Sequence, residues 1–474
     1  MFVHNSWMLQ DAAAELKIEL QSSELRKELR VTDLVFTQVL GIVGLGWIGT
    51  AGKLGSHQLM FWLAAIFLFY LPSAVVVIHL NNEMPLEGGL YQWAKLRFNE
   101  ITGFLVAWNL WIYCVVMVSQ VGLIVANNLS YAMGEPWIAN SKPAMIGVSV
   151  VTIIGLVFVA RVGFSVGRWV QGLCGFMLVA LFVAMAVFAL PRWFLKGAAH
   201  PPLALSLPTL TLINLNILSK IGFGALGGFD TIAMFAGECR ASDAGATIRR
   251  SMWIATPVIA GAFVIGTACL LVFVKPEEID LISPITQVLS RGMEFAGFSG
   301  SMAAIATALI VCTWLGAALL NINYASRLPM VAGWDHLLPE WCMRLHPEYR
   351  TPVGSIVFLG SVSLTIAVLS TLGVGNQEAF QILQSGCGLA FAFTYLVMFA
   401  IPLVTGEGPM LLRAAAVSGF LMTLLYVFFS VFPIVEVVDR TAFAAKIGGM
   451  VFALNAAGAL LYWRAAARRR AGSS

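Results

Sequence analysis

Twelve apolar runs, almost free of charge, leave this chain few folds to choose from. They cover 34–52, 58–80, 101–133, 144–160, 169–190, 214–238 (interrupted), 251–274, 299–326, 353–371, 379–403, 414–435 and 447–463. A helix of about 20 apolar residues, rising about 1.5 Å per residue, crosses the hydrocarbon core of a bilayer. Only helices and closed barrels satisfy every backbone group there. Of the 474 residues 59% are hydrophobic and 11% charged, whereas soluble domains carry charge on about a quarter of their positions. The expected fold class is therefore all-α integral membrane, with 12 transmembrane helices.

Basic residues orient the runs. With both ends on the cytoplasmic side, the cytoplasmic segments hold 19 Lys and Arg and the outer loops 8, with Lys220 inside the sixth run. The positive-inside rule then places both termini in the cytoplasm of a multi-pass cell-membrane protein. Residues 1–33 mix Glu, Lys and Arg without the short apolar core of a signal peptide, and read as a cytosolic leader, partly an amphipathic helix. Residues 464–474, with Arg468, Arg469 and Arg470, read as a basic cytoplasmic tail. These segments and the loops supply most of the net charge of +4, which suits anionic headgroups; no nucleic-acid motif is present. Cys114, Cys174, Cys269, Cys312 and Cys387 fall inside runs, and Cys239 and Cys342 in cytoplasmic loops, so neither disulfides nor a CxxC metal site is expected.

Two runs carry glycine-rich interruptions. Gly41-Ile-Val-Gly-Leu-Gly-Trp-Ile-Gly-Thr50 in the first lies over Gly222-Phe-Gly-Ala-Leu-Gly-Gly-Phe-Asp-Thr231 in the sixth, with identity at Gly41/Gly222, Leu45/Leu226, Gly46/Gly227 and Thr50/Thr231. The offset is 181 residues, or five runs. An odd number of crossings reverses direction, so two such units form an inverted repeat, about 34–190 and 214–403, whose broken helices meet near the midplane. Close packing through small residues is the simpler reading of the glycines, above all in the first run. Asp230, beside the second interruption, favours a break there, because an intramembrane carboxylate marks function more often than packing.

A broken helix frees N–H groups at one end and C=O groups at the other. The half-helix dipoles attract a carboxylate to the first and an ammonium to the second, so a zwitterionic amino acid satisfies both. Asp230 reads as a proton carrier, an anchor for a cationic substrate group, or a helix cap. Lys220, ten residues earlier, either snorkels to the outer headgroups or faces the outer vestibule, favouring acidic substrates or repelling dications. Glu238 and Arg327, at cytoplasmic ends of their runs, read either as interfacial charges or as a salt bridge closing an inner gate. Asn109, Tyr113, Ser119, Gln120, Thr313, Asn321, Gln381, Gln384 and Ser385 in the third, eighth and tenth runs read mostly as interhelical hydrogen-bonders.

Four motifs in order resemble one family. They are Leu25-Arg-Lys-Glu-Leu29 with Gly44-Leu-Gly46; Glu83-Met-Pro-Leu-Glu-Gly-Gly-Leu-Tyr91; Gly227-Gly-Phe-Asp230 with Gly237-Glu238; and Ser326-Arg-Leu-Pro-Met-Val-Ala-Gly-Trp-Asp-His-Leu-Leu-Pro339 closing with Tyr349-Arg-Thr-Pro352. Over about residues 26–403 the chain resembles the amino acid, polyamine and organocation transporters. The resemblance implies a LeuT-type fold of ten core helices in 5+5 inverted repeats, with two peripheral helices over 404–463, and alternating access. It implies that Gly44, Leu45 and Gly46 offer backbone groups to the substrate carboxylate. Gly224, Gly227 and Gly228 would receive the ammonium, and an aromatic near Phe223 would be the outer gate. Two departures stand out: the fifth run lacks the lysine of some proton-coupled relatives, with Met177 near that place, and Cys239-Arg-Ala-Ser-Asp243 replaces a Lys-Asn-Pro stretch.

The resulting expectation is a secondary active transporter, permease or antiporter, for amino acids or related amines. It would be proton-coupled or an exchanger, with no cofactor and no metal. A polyamine or GABA transporter of the same fold is the near alternative. Intramembrane enzymes need more polar catalytic groups than these runs hold, a channel needs repeated polar pore positions, and neither a P-loop nor a His/Glu zinc motif is present.

Overall fold

Hydrocarbon offers the backbone no partner but itself, and the described residues are helical accordingly. A computed structural model describes residues 27 and 29–472, apart from 87, 136, 163, 207–209, 241–242, 299, 335–337, 371–375, 407 and 435–438. Most of the expected leader, residues 1–26 and 28, lies outside the described residues.

Eleven helices are long and apolar enough to cross a membrane, and the bent pair Val31–Ile42 and Leu45–Gly52 makes up to twelve. The others are Gly55–Glu83, Glu100–Tyr131, Lys142–Val162, Trp169–Lys196, Leu212–Ala233, Ala244–Phe273, Ala304–Val331, Val353–Ser370, Glu378–Thr405, Met410–Phe429 and Arg440–Arg468. Each of the twelve expected runs falls on one of these spans, and among the described residues no strand occurs. The architecture is an all-helical membrane fold of LeuT type. With all twelve spans crossing, the described part of the chain starts and ends on one face.

Burial differs from span to span. The most apolar window is 67% buried in the third, sixth and tenth spans but 28% in the fourth and 17% in the twelfth. Val151 and Phe158 on the fourth are exposed as residues facing lipid should be. The third span packs on the eighth and tenth, while the first packs on the fifth, seventh and eighth. The twelfth rests on the third and tenth, and its helix continues to Gly472, so the described part of the basic tail is helical.

Two shorter helices escaped the sequence reading. Leu90–Arg97 follows the Glu83–Tyr91 motif, and Pro284–Phe295 lies between the seventh and eighth spans. Each is too short to cross a bilayer, and the Pro284–Phe295 helix buries Ile285, Val288, Leu289 and Met293 along one side at helical spacing.

Candidate functional site

Both interruptions are real breaks. In the first span Val43 and Gly44 leave helical geometry (ψ 81° and 114°), and the two halves meet at 46°. The Gly44 N–H turns back to the Ile42 carbonyl (2.8 Å) and the Trp47 N–H to the Gly44 carbonyl (3.1 Å). The amides of Leu45 and Gly46 thus begin the second half-helix without a preceding turn to accept from them. In the sixth span a helix from Leu212 passes into a π-helical turn at Lys220–Ala225, stops at Leu226, and resumes as the short helix Asp230–Ala233. Gly228 has φ 136°, a conformation open to glycine and strained for other residues.

A cavity of about 130 Å³ lies between the breaks. The first span contributes Gly44, Leu45, Gly46 and Trp47, the sixth Lys220, Phe223, Gly224 and Gly227. Tyr113 and Gln120 (third span), Thr313 and Asn321 (eighth), and Gln381, Gln384 and Ser385 (tenth) complete its polar wall. Thus seven of the nine polar residues singled out in these spans meet at one site. Asn109 does not: its amide donates to Asn455 Oδ1 on the twelfth span (2.7 Å), and the Ser119 hydroxyl donates to the Val116 carbonyl (2.7 Å). The lining continues through Thr50, Leu281, Phe380 and Ile434, toward the face opposite the chain ends.

Asp230 lies behind this wall rather than on it. It is fully buried, and its carboxylate accepts from the Tyr395 hydroxyl of the tenth span (2.7 Å) and the Tyr324 hydroxyl of the eighth (3.2 Å). Tyr395 Oη in turn accepts from the Gly228 N–H (2.8 Å), so one hydroxyl joins the break to the acid. The residue preceding the short helix, Phe229, makes no side-chain cap bond, and the bonds from Tyr395 and Tyr324 tie Asp230 to other helices. Phe223 is wholly buried, its ring 4.7 Å from Tyr426 and 5.4 Å from Tyr395.

On the face of the chain ends, side-chain and backbone bonds join three elements. Arg327 Nε donates to Glu238 Oε1 (2.7 Å), Arg327 Nη2 donates to the same oxygen, and Arg327 Nη1 donates to the Asn323 carbonyl (2.6 Å). The guanidinium also lies over Phe235 (4.9 Å), with both charged side chains under a tenth exposed. Beside them Leu29 and Cys239 form a parallel bridge: the Leu29 N–H donates to the Glu238 carbonyl (3.0 Å), and the Arg240 N–H to that of Leu29 (2.9 Å). The segment before the first span is thereby fastened to the end of the sixth, and the sixth to the eighth.

The family model described as amino acid permease matches residues 28–453. The chain belongs to the amino acid permease family. The permease is 22% identical over 382 residues to an uncharacterised transporter of Legionella pneumophila, covering 79% of this chain and 80% of that one. It is 22% identical over 372 residues to a probable agmatine/putrescine antiporter of Lactococcus lactis, with 77% and 78% covered. Over 397 residues it is 25% identical to cationic amino acid transporter 4 of Mus musculus, covering 78% of the permease and 59% of that longer chain. The family and these relatives are transporters, not enzymes, and the intramembrane-enzyme alternative falls with that.

Three contributors were not legible in the sequence. Trp47 packs into the gap between the breaks, its ring 2.7 Å from where a Cβ on Gly44 would stand and 2.6 Å from one on Gly224. Its one signal was its place inside the first glycine motif. Tyr324 and Tyr395, 94 and 165 residues from Asp230, carried none.

Proposed function

We propose that the permease moves amino acids or related amines by alternating access, binding them in the cavity between its two broken helices. One observation carries this reading: the free helix ends of the first and sixth spans line the same cavity as the polar faces of the third, eighth and tenth. Such ends hold a carboxylate and an ammonium through backbone groups, without covalent chemistry. The ten core spans are read as two inverted repeats, about 34–190 and 214–403, with the last two spans at the rim. The excess of basic residues, 19 against 8, supports a cell-membrane orientation with both termini cytoplasmic. In that orientation the Glu238–Arg327 pair closes the inner side, and the cavity leads outward.

Coupling is assigned to Asp230. Its carboxylate sits in a water-poor site with hydroxyls on two other helices, so gain or loss of a proton changes how the sixth span is held against the eighth and tenth. The relatives named for agmatine, putrescine and cationic amino acids make an amine-bearing substrate the starting point for a screen. The test is uptake into proteoliposomes under an imposed pH gradient. We expect saturable uphill accumulation by the wild type, and loss of accumulation with retained exchange in Asp230→Asn. Wild-type accumulation by Asp230→Asn would overturn the coupling role, and absence of saturable flux for every amino acid and amine would overturn the transport reading.

A further inference from the structure

Lys220 is a buried cation on the cavity wall that the proposed backbone site does not use. Among the described residues it is the only lining residue with a full formal charge. It is 6% exposed, and its Nζ donates to the Phe432 carbonyl (2.9 Å), an oxygen that also accepts from Asn216 Nδ2 (3.2 Å). No carboxylate of the described residues pairs with it. An ammonium has three N–H donors and needs a counter-charge when it leaves water. One shared carbonyl supplies neither the remaining acceptors nor the charge. A buried ion with no carboxylate partner among the described residues, standing on a ligand cavity, is completed by a ligand of opposite sign.

The position fits such a ligand. Lys220 lies one turn before Gly224 on the same half-helix, about 5 Å along its axis, toward the face opposite the chain ends. A substrate whose α-ammonium and α-carboxylate sit at the breaks would extend an acidic side chain of two or three carbons toward this ammonium. Gln381, Gln384 and Ser385 provide neutral polar groups on the facing tenth span. A diamine in the same pose would set its second ammonium against Lys220. We infer that the permease selects an amino acid bearing a second carboxylate, of the aspartate or glutamate class, with Lys220 as its counter-ion. This rests on the proposed substrate cavity and departs from the cationic substrates for which two of the relatives are named.

The experiment compares glutamate with its neutral isostere glutamine, and with putrescine, as competitors of substrate uptake and as ligands in thermal-shift titrations of the full chain. The wild type should prefer glutamate to glutamine by at least about tenfold, since one well-placed charge-assisted contact in a cavity is worth that much. Lys220→Gln should bring the ratio close to one, and Lys220→Arg should retain most of it. Equal affinity for glutamate and glutamine in the wild type, tighter binding of putrescine than of glutamate, or an undiminished glutamate preference in a folded Lys220→Gln variant would each overturn the inference while leaving amino acid or amine transport intact. Neutral amino acid binding that depends on chloride would assign Lys220 to an inorganic anion and overturn it as well. Absence of binding by any amino acid or amine would remove both the inference and the transport reading beneath it.

Discussion

Glu238→Gln tests the seal on the terminal face with a change of charge and almost none of shape. In the structure Arg327 directs Nε and Nη2 at one oxygen of Glu238, with both side chains buried. Removing one member of such a pair leaves a buried charge uncompensated, which costs about 3–5 kcal/mol. At about 1.4 kcal/mol per factor of ten, that is roughly a 100- to 5,000-fold shift toward any state in which Arg327 reaches water. Glutamine still accepts a hydrogen bond, so the shift should fall toward the low end, with at least about tenfold more opening. Cys239, adjacent to the pair and 2% exposed, reports on it directly. We expect a small maleimide to label Cys239 at least about ten times faster in Glu238→Gln than in wild type, with the gain abolished by Cys239→Ser. Replacing both members with leucine should restore slow labelling, because an apolar pair of similar volume removes the stranded charge. Wild-type labelling in a folded Glu238→Gln protein would refute the reasoning.

Two further outcomes follow from the same geometry. Tyr395→Phe strips a hydroxyl that serves both the Gly228 N–H and the Asp230 carboxylate, leaving two buried groups short at about 1–3 kcal/mol each; Tyr324→Phe removes one such bond. Thermal melts should therefore rank Tyr395→Phe below Tyr324→Phe, and equal melting would contradict the shared-hydroxyl account. Trp47→Ala empties the space beside Gly44 and Gly224, so competition assays should show bulkier side chains gaining relative to small ones, and an unchanged size profile would place Trp47 outside the substrate's reach.

The span pattern was legible because hydropathy acts locally: each run is long enough to cross the bilayer by itself. The breaks were legible for a related reason, since glycines and an acid within one run are visible without knowing what packs against them. Partners were not. Asp230 stood out as an intramembrane acid, but Tyr395 and Tyr324 reach it from helices 165 and 94 residues away, and a tyrosine in an apolar run looks the same whether it faces lipid or an acid. Glu238 and Arg327 were open to two readings, interfacial charges or a salt bridge, and the folded chain brings their side chains together across 89 residues. Lys220 shows the limit in the other direction. Its place in the sixth run allowed either a side chain reaching for headgroups or one facing the vestibule, and only the folded chain shows its Nζ on the Phe432 carbonyl beside the cavity.

Filling the gap between the broken helices tests the central claim most directly. A Cβ on Gly227 would stand 2.8 Å from the Phe223 carbonyl and 3.0 Å from Phe391, so a large residue there disturbs the backbone itself. At Gly224 the nearest neighbour is the ring of Trp47, at 2.6 Å, a side chain inside the cavity. Gly224→Leu therefore occupies the cavity and spares the break. With the best ligand from an amino acid and amine screen, the wild type should gain thermal stability as ligand rises, by RT ln(1 + [L]/Kd). Gly224→Leu, folded and monodisperse, should gain none. A ligand-dependent shift in Gly224→Leu equal to that of the wild type would place the substrate elsewhere and contradict the account.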